Sequence, residues 1–109
     1  MINRKARMFW NMDIGQGMVV FDDISFLPEA FDAAHHVDYL KEDLLQIVFP
    51  DDLVIDVGWY PSFDEHGRFL LMLVRDSNWD EPVERADFTD VVSLKARIAG
   101  MAGKLAHRV

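Results

Sequence analysis

The clearest periodicity in the chain is a change of period near residue 53. Up to that point, Val37, Leu40, Leu44, Ile47 and Val48 recur at three- and four-residue intervals, with Asp38, Lys41, Glu42 and Asp43 between them. That spacing predicts an amphipathic helix closed by Pro50 and the Asp51-Asp52 pair. From Leu53 the period is two: Leu53, Ile55, Val57 and Trp59 share one face, and Val54, Asp56, Gly58 and Tyr60 the other. A strand with one specialised face follows from this. Residues 61–67 supply turn chemistry in Pro61, Asp64 and Gly67, and residues 68–75 are apolar on both faces, which predicts a central strand. After a polar loop over 76–82, residues 83–88 suit an edge strand, and Thr89 or Asp87 is the expected cap of the next helix. In that helix Val91, Leu94, Ile98, Met101, Ala102 and Leu105 form one stripe. Lys95, Arg97, Lys104 and Arg108 gather toward its C-terminal end, where cations suit the helix dipole.

The N-terminal part is less regular. Residues 7–13 and 18–21 predict a hairpin around Gly15-Gln16-Gly17, and Ser25 ahead of Pro28, with Phe31, Ala34 and His35 continuing the spacing, predicts a short helix. The expected class is α+β, a small, mostly antiparallel sheet of about five strands packed against two or three helices. With no linker, repeat or low-complexity tract, residues 1–109 are expected to form a single domain.

Composition narrows the chemistry. No cysteine is present, which removes disulfides, thiolate metal sites and cysteine nucleophiles and fits a reducing cytosol. The apolar stretch after the basic N-terminus is broken at Asn11 and Asp13, too short for a secretory signal, and no run approaches a membrane span. A cytoplasmic location, with no role in the membrane, is expected. The net charge is −8, and all nineteen carboxylates lie between Asp13 and Asp90. Only Lys41, Arg68, Arg75 and Arg85 oppose them there, so this window carries a formal −15 while the two ends are basic. Such a body is repelled by phosphate backbones and steered toward basic proteins. Direct nucleic-acid binding is disfavoured, although an acidic surface also serves solubility alone.

No phosphate-binding loop, dinucleotide fingerprint, nucleophile elbow or zinc-protease motif occurs. His35-His36 with Asp38 is one possible metal cluster, but adjacent helical side chains diverge by about 100°, which argues against convergence on one ion. His66, beside Asp64 and Glu65, is a candidate general acid or base, with an exposed hairpin-tip histidine as the alternative. Asp56 is a candidate half-buried carboxylate paired with an arginine such as Arg75. The pairs Asp22-Asp23, Asp51-Asp52, Asp64-Glu65 and Asp80-Glu81 all fall at turns and fail the calcium-loop spacing. No catalytic, cofactor or metal residue is assigned. The candidate partner-binding set is Asp22, Asp23, Tyr60, Asp64, Glu65, Trp79, Asp80, Glu81 and Glu84, with Tyr60 and Trp79 as aromatic anchors among carboxylates. Both rings could instead cover the core edge.

The run Ile55-Asp56-Val57-Gly58-Trp59-Tyr60-Pro61, then Asp64 and Gly67, then Phe69-Leu70-Leu71-Met72-Leu73-Val74 and Asn78-Trp79-Asp80-Glu81-Pro82, resembles small bacterial immunity proteins of polymorphic-toxin and contact-dependent growth-inhibition systems. The likeness covers Leu53 to about Val92. Residues 1–50 add no motif. The resemblance implies a non-enzymatic inhibitor that binds one cognate toxin C-terminal domain as a heterodimer in the cytoplasm and covers its active site. A nuclease such as a tRNase, with a basic cleft, is the expected toxin. Two other readings stay open: an acidic adaptor domain for a basic protein, and a small enzyme using His66 or His35. Self-association through the edge at 83–88 is compatible with each of them.

Overall fold

The computed structural model describes residues 12–106. Five antiparallel strands follow one another across a single sheet, β1 (Met18–Asp22), β2 (Leu45–Phe49), β3 (Leu53–Tyr60), β4 (Arg68–Arg75) and β5 (Glu84–Phe88), in the order β1-β2-β3-β4-β5. A one-turn helix α1 (Ala33–His36), continued by a 3₁₀ turn over Val37–Tyr39, lies in the long β1–β2 connection, and α2 (Val91–Ala106) ends the fold. This is an α+β fold, as the periodicities predict. The expected strand over 7–13 lies largely outside the described residues.

The helix expected from Val37 to Val48 is not formed. Leu45, Ile47 and Phe49 are buried while Gln46 and Val48 face away, so the same stretch also carries a period of two. Pairing decides between the two periods. β2 runs antiparallel to β3 from Leu45↔Val57 to Phe49↔Leu53, and Asp51 and Asp52 close the hairpin at φ 68° and 59°. Aspartate tolerates this left-handed backbone better than most residues. The helix expected to start near Ser25 is also absent: helical backbone begins only at Ala33, where the Asp32 carboxylate accepts from the Ala34 N–H at 3.0 Å. Ser25 instead donates through its hydroxyl to Asp22 at 2.6 Å. The cap of α2 is neither Thr89 nor Asp87 but Asp90, whose Oδ1 accepts from the Ser93 N–H at 2.7 Å.

One sheet face is the core. Leu45, Ile47 and Phe49 of β2, Leu53, Ile55, Val57 and Trp59 of β3, and Phe69, Leu71 and Leu73 of β4 pack with Val91, Leu94, Ile98, Met101 and Ala102 of α2. Each Val, Leu, Ile, Phe or Met side chain among them contributes about 1.5–3 kcal/mol when fully buried. Trp59 sits centrally, edge-on to Phe69 at 4.8 Å, its indole N–H donating to the Asp64 carbonyl at 2.7 Å. That bond ties the β3–β4 turn to the core. Arg97 and Lys104 of α2 reach Glu84 of β5 at 3.4 and 3.3 Å.

The opposite face has no helix over it among the described residues. It carries Val48, Val54, Asp56, Leu70 and Met72, with Arg68 and Arg85 toward one side, and Val74, which is fully buried. β4 lies between β3 and β5 and is an interior strand, as its apolar pattern predicts. At one end of this face the chain crosses over the sheet: a Cβ on Gly58 would lie 1.9 Å from the Glu42 carbonyl oxygen.

Candidate functional site

In an antiparallel sheet of consecutive strands, successive connections alternate between the two ends of the strands. The β1–β2 and β3–β4 connections share one end, and the β2–β3 and β4–β5 connections share the other. The nine residues expected to bind a partner are divided by this rule. Asp22, Asp23, Tyr60, Asp64 and Glu65 come together at the first end; Trp79, Asp80, Glu81 and Glu84 lie at the second, about 25 Å away along eight-residue strands. Glu84 is further held by Arg97 and Lys104, so its carboxylate serves the β5–α2 contact.

The first end is built by residues 40–44, which run beside the end of β3. The Leu44 N–H donates to the Val57 carbonyl at 3.0 Å and the Trp59 N–H to the Lys41 carbonyl at 2.9 Å. Between these bonds Glu42 and Asp43 arch over Gly58, and Tyr60 reaches the Glu42 carbonyl through its hydroxyl at 3.4 Å. Burial, then the carboxylates Asp56, Glu42 and Asp43, push the Tyr60 phenol above its ordinary value of 10.0. Beside the arch, Asp22 accepts from the Ile24 and Ser25 backbone N–H groups at 3.1 and 2.9 Å and so shapes the start of the connection. Asp23 pairs with Lys41 at 2.5 Å, and the Lys41 ammonium lies 5.9 Å from the Phe21 ring centre.

Three aromatic side chains that the sequence did not single out converge here. Phe26, Tyr39 and Phe63 are 49, 57 and 60 % exposed and line one groove of about 630 Å³ with Asp23, Asp38, His36 and Lys41. Phe26 and Tyr39 meet edge to face at 5.3 Å. Phe63 is fixed by donation from its N–H to the Leu40 carbonyl at 2.6 Å and has a φ of 58°. A bulky residue in the left-handed region costs about 1–2 kcal/mol, and here the backbone spends it on holding a ring in solvent. Exposed rings within turn chemistry, such as Phe63 among Pro61, Ser62, Asp64 and Gly67, were the available signal. Tyr39 carries none, because its neighbours Val37, Leu40 and Leu44 satisfy a helical spacing.

The described histidines are engaged locally. His35 Nδ1 bonds the Asp32 carboxylate at 2.7 Å, His36 Nδ1 bonds the Asp32 carbonyl at 2.9 Å, and the His36 ring stacks on Phe31. The His35 contact is the main reason the Asp32 carboxyl lies below its ordinary value. Among the described residues no three histidine or carboxylate side chains gather as metal ligands do. His66 projects into solvent beside Glu65 at 3.6 Å, with its backbone N–H on Asp64.

Asp56 does not pair with Arg75. Arg75 lies opposite Leu53, three residues along the strand and on the other face, and Asp56 instead accepts from Gln46 at 3.4 Å. Burial raises its carboxyl above 3.8 despite that hydrogen bond, and Asp43 adds to the rise. The folded state thus binds the Asp56 proton more tightly than the unfolded chain, so this group's contribution to stability falls as pH rises from 3.8 through the raised value. Asp56→Asn is expected to raise the melting temperature at neutral pH, with the gain shrinking to nothing below pH 3.8. Melting curves across that range check this; a variant less stable at neutral pH would show that the charge is compensated.

No known family model, curated protein or solved structure matches the chain. The surface must therefore be interpreted from its own chemistry. Among the described residues no helix is long and apolar enough to cross a membrane. The groove end combines exposed rings with Asp38, Glu42, Asp43, Asp64 and Glu65, and its nearest cation, Lys41, is already paired.

Proposed function

We propose that the chain is a binding protein that neutralises a basic toxin, in the manner of an immunity protein, by seating the Phe26–Tyr39–Phe63 groove and its surrounding carboxylates on the toxin's cationic cleft. The observation that carries the reading is the convergence of three outward-facing rings on one acidic groove. Aromatic anchors inside a polar rim are the composition of protein–protein hot spots, and each ring buried by a partner is worth about 2 kcal/mol or more. The surrounding charge would speed encounter with a cationic surface and oppose a nucleic acid. A toxin nuclease in the producing cell's cytoplasm is the partner that this charge and the resemblance of the 53–92 region favour. An acidic adaptor for another basic protein would use the same groove.

The test is co-expression with the toxin C-terminal domain encoded beside its gene. Growth rescue and a co-purifying one-to-one complex whose association slows with salt are expected. Continued toxicity with no complex would overturn the toxin assignment. Charge reversal of Asp64-Glu65 should slow association without unfolding the domain, whereas reversal of Asp80-Glu81, at the far end, should change it less.

A further inference from the structure

β5 ends the strand order on one side, and among the described residues no strand pairs with its outer edge. An edge strand turns the N–H and C=O of every second residue outward, which makes it a template for another strand. The sequence of β5 is Glu84-Arg85-Ala86-Asp87-Phe88, in which Arg85 and Asp87 are exposed on the same side. Asp87 meets Arg68 at 3.3 Å, whereas Arg85 has no ion-pair partner among the described residues. None of these residues lines the aromatic groove.

We infer that this edge is a self-association surface, where a second copy of the chain adds its own β5 antiparallel to the first about a two-fold axis that passes beside Ala86 and perpendicular to the sheet. Arg85 then lies directly across from Asp87 of the copy, and Asp87 across from its Arg85. These two equivalent ion pairs are the self-complementarity an isologous contact requires. In the same register Glu84 opposes Phe88 and Ala86 opposes itself, so outward-turned backbone groups meet outward-turned groups and hydrogen-bond as an antiparallel ladder. Centring the axis on Arg85 or on Asp87 would instead set like charges opposite one another. Charge therefore selects one register. Asp87 keeps Arg68 on one side and takes the copy's Arg85 on the other, as a carboxylate with two oxygens can.

Charge also singles out this edge within the molecule. A chain of net charge −8 repels a second copy over most of its surface. On β5, however, each carboxylate is held by cations of its own chain, Glu84 by Arg97 and Lys104 and Asp87 by Arg68, and Arg85 is in excess. At the opposite side of the sheet, β1 ends in Asp22 with Asp23 directly after it. A pair of five-residue strands covers far less than the roughly 800 Å² per partner of a stable complex, so the dimer is reversible, with a dissociation constant on the order of 100 µM.

Two measurements on the full chain test this. Analytical ultracentrifugation from about 10 µM to about 1 mM brackets such an affinity. Expected are a concentration-dependent dimer for the parent chain, at least about tenfold weaker association for Arg85→Asp or Asp87→Arg alone, and recovery in their equimolar mixture, where opposite charges again face one another in both pairs. Cross-linking reads the register: the chain has no cysteine, so Ala86→Cys adds a single thiol. Opposed residues of an antiparallel pair have Cα atoms about 4.5–5.5 Å apart, inside the disulfide range of about 4.4–6.8 Å, so mild oxidation should join two copies at this position. Ser77→Cys, in the exposed β4–β5 loop, is the control and should cross-link far more slowly. A parent chain that stays monomeric at the highest concentration overturns the inference. So does a dimer that Arg85→Asp leaves unchanged, a mixture that fails to recover, or an Ala86→Cys chain that cross-links no faster than the control. Arg85 is exposed and unpaired within the described chain, so its variant tests the contact even if Asp87→Arg does not fold.

Discussion

Gly58→Ala is expected to destabilise the fold by about 3 kcal/mol or more, enough to leave much of the protein unfolded at moderate temperature. The added Cβ would lie 1.9 Å from the Glu42 carbonyl oxygen and 2.8 Å from its carbon, both backbone atoms. A side chain could rotate aside; this arch cannot, because hydrogen bonds at Lys41 and Leu44 fix it to β3 on both sides. Relief requires breaking those bonds or bending β3 where Trp59 is buried next door. Gly100→Ala is the control: nothing lies within 4 Å of its added Cβ in α2, and it should stabilise by about 0.5–1 kcal/mol, since alanine restricts the unfolded chain more than glycine does. Urea melts of both variants separate the outcomes. If Gly58→Ala were as stable as the parent chain, residues 41–43 would not cross the sheet there, and the scaffold of the groove would have to be redrawn.

The same arch shows where sequence reasoning stops. The hairpin over 53–75 was legible because alternation, a turn rich in Pro, Asp and Gly, and a second apolar run of strand length agree with one another, and the last helix because its apolar stripe spans four turns. Residues 37–49 were not, since Leu40, Leu44 and Ile47 satisfy a helical spacing while Leu45, Ile47 and Phe49 satisfy a strand. A free segment has no reason to prefer the second. The neighbouring strand β3 supplies it by pairing five residues of backbone, a non-local gain that no window of sequence contains.

The candidate site was legible in kind and not in place. Acidic turn residues beside aromatic rings were apparent, yet turns alternate between the two ends of such a sheet, so Tyr60 and Trp79 cannot serve one compact interface. Which end matters is set by Phe26, Tyr39 and Phe63. They come from three separate segments of the chain and meet only because residues 40–44 hold the β1–β2 connection against β3 and the β3–β4 turn.

If the proposed toxin partner seats on the groove, the double variant Tyr39→Ala/Phe63→Gly is expected to weaken its binding by about 10³-fold, roughly 2 kcal/mol for each ring, while leaving the melting temperature almost unchanged. Both side chains are more than half exposed, so truncation opens no core cavity. At Phe63 two backbone effects oppose each other. Glycine removes a left-handed strain of about 1–2 kcal/mol at φ 58° and adds about 0.5–1 kcal/mol of unfolded-state entropy. The carboxylates remain, so the salt dependence of association should persist and the loss should appear in the dissociation rate. Stopped-flow association and surface-plasmon dissociation, run with thermal melts, resolve these quantities. Equal loss of stability and affinity would make the rings part of the fold; unchanged affinity would move the interface off this end of the sheet. Loss of affinity alone is the behaviour of residues held in a strained, solvent-facing position because a partner covers them.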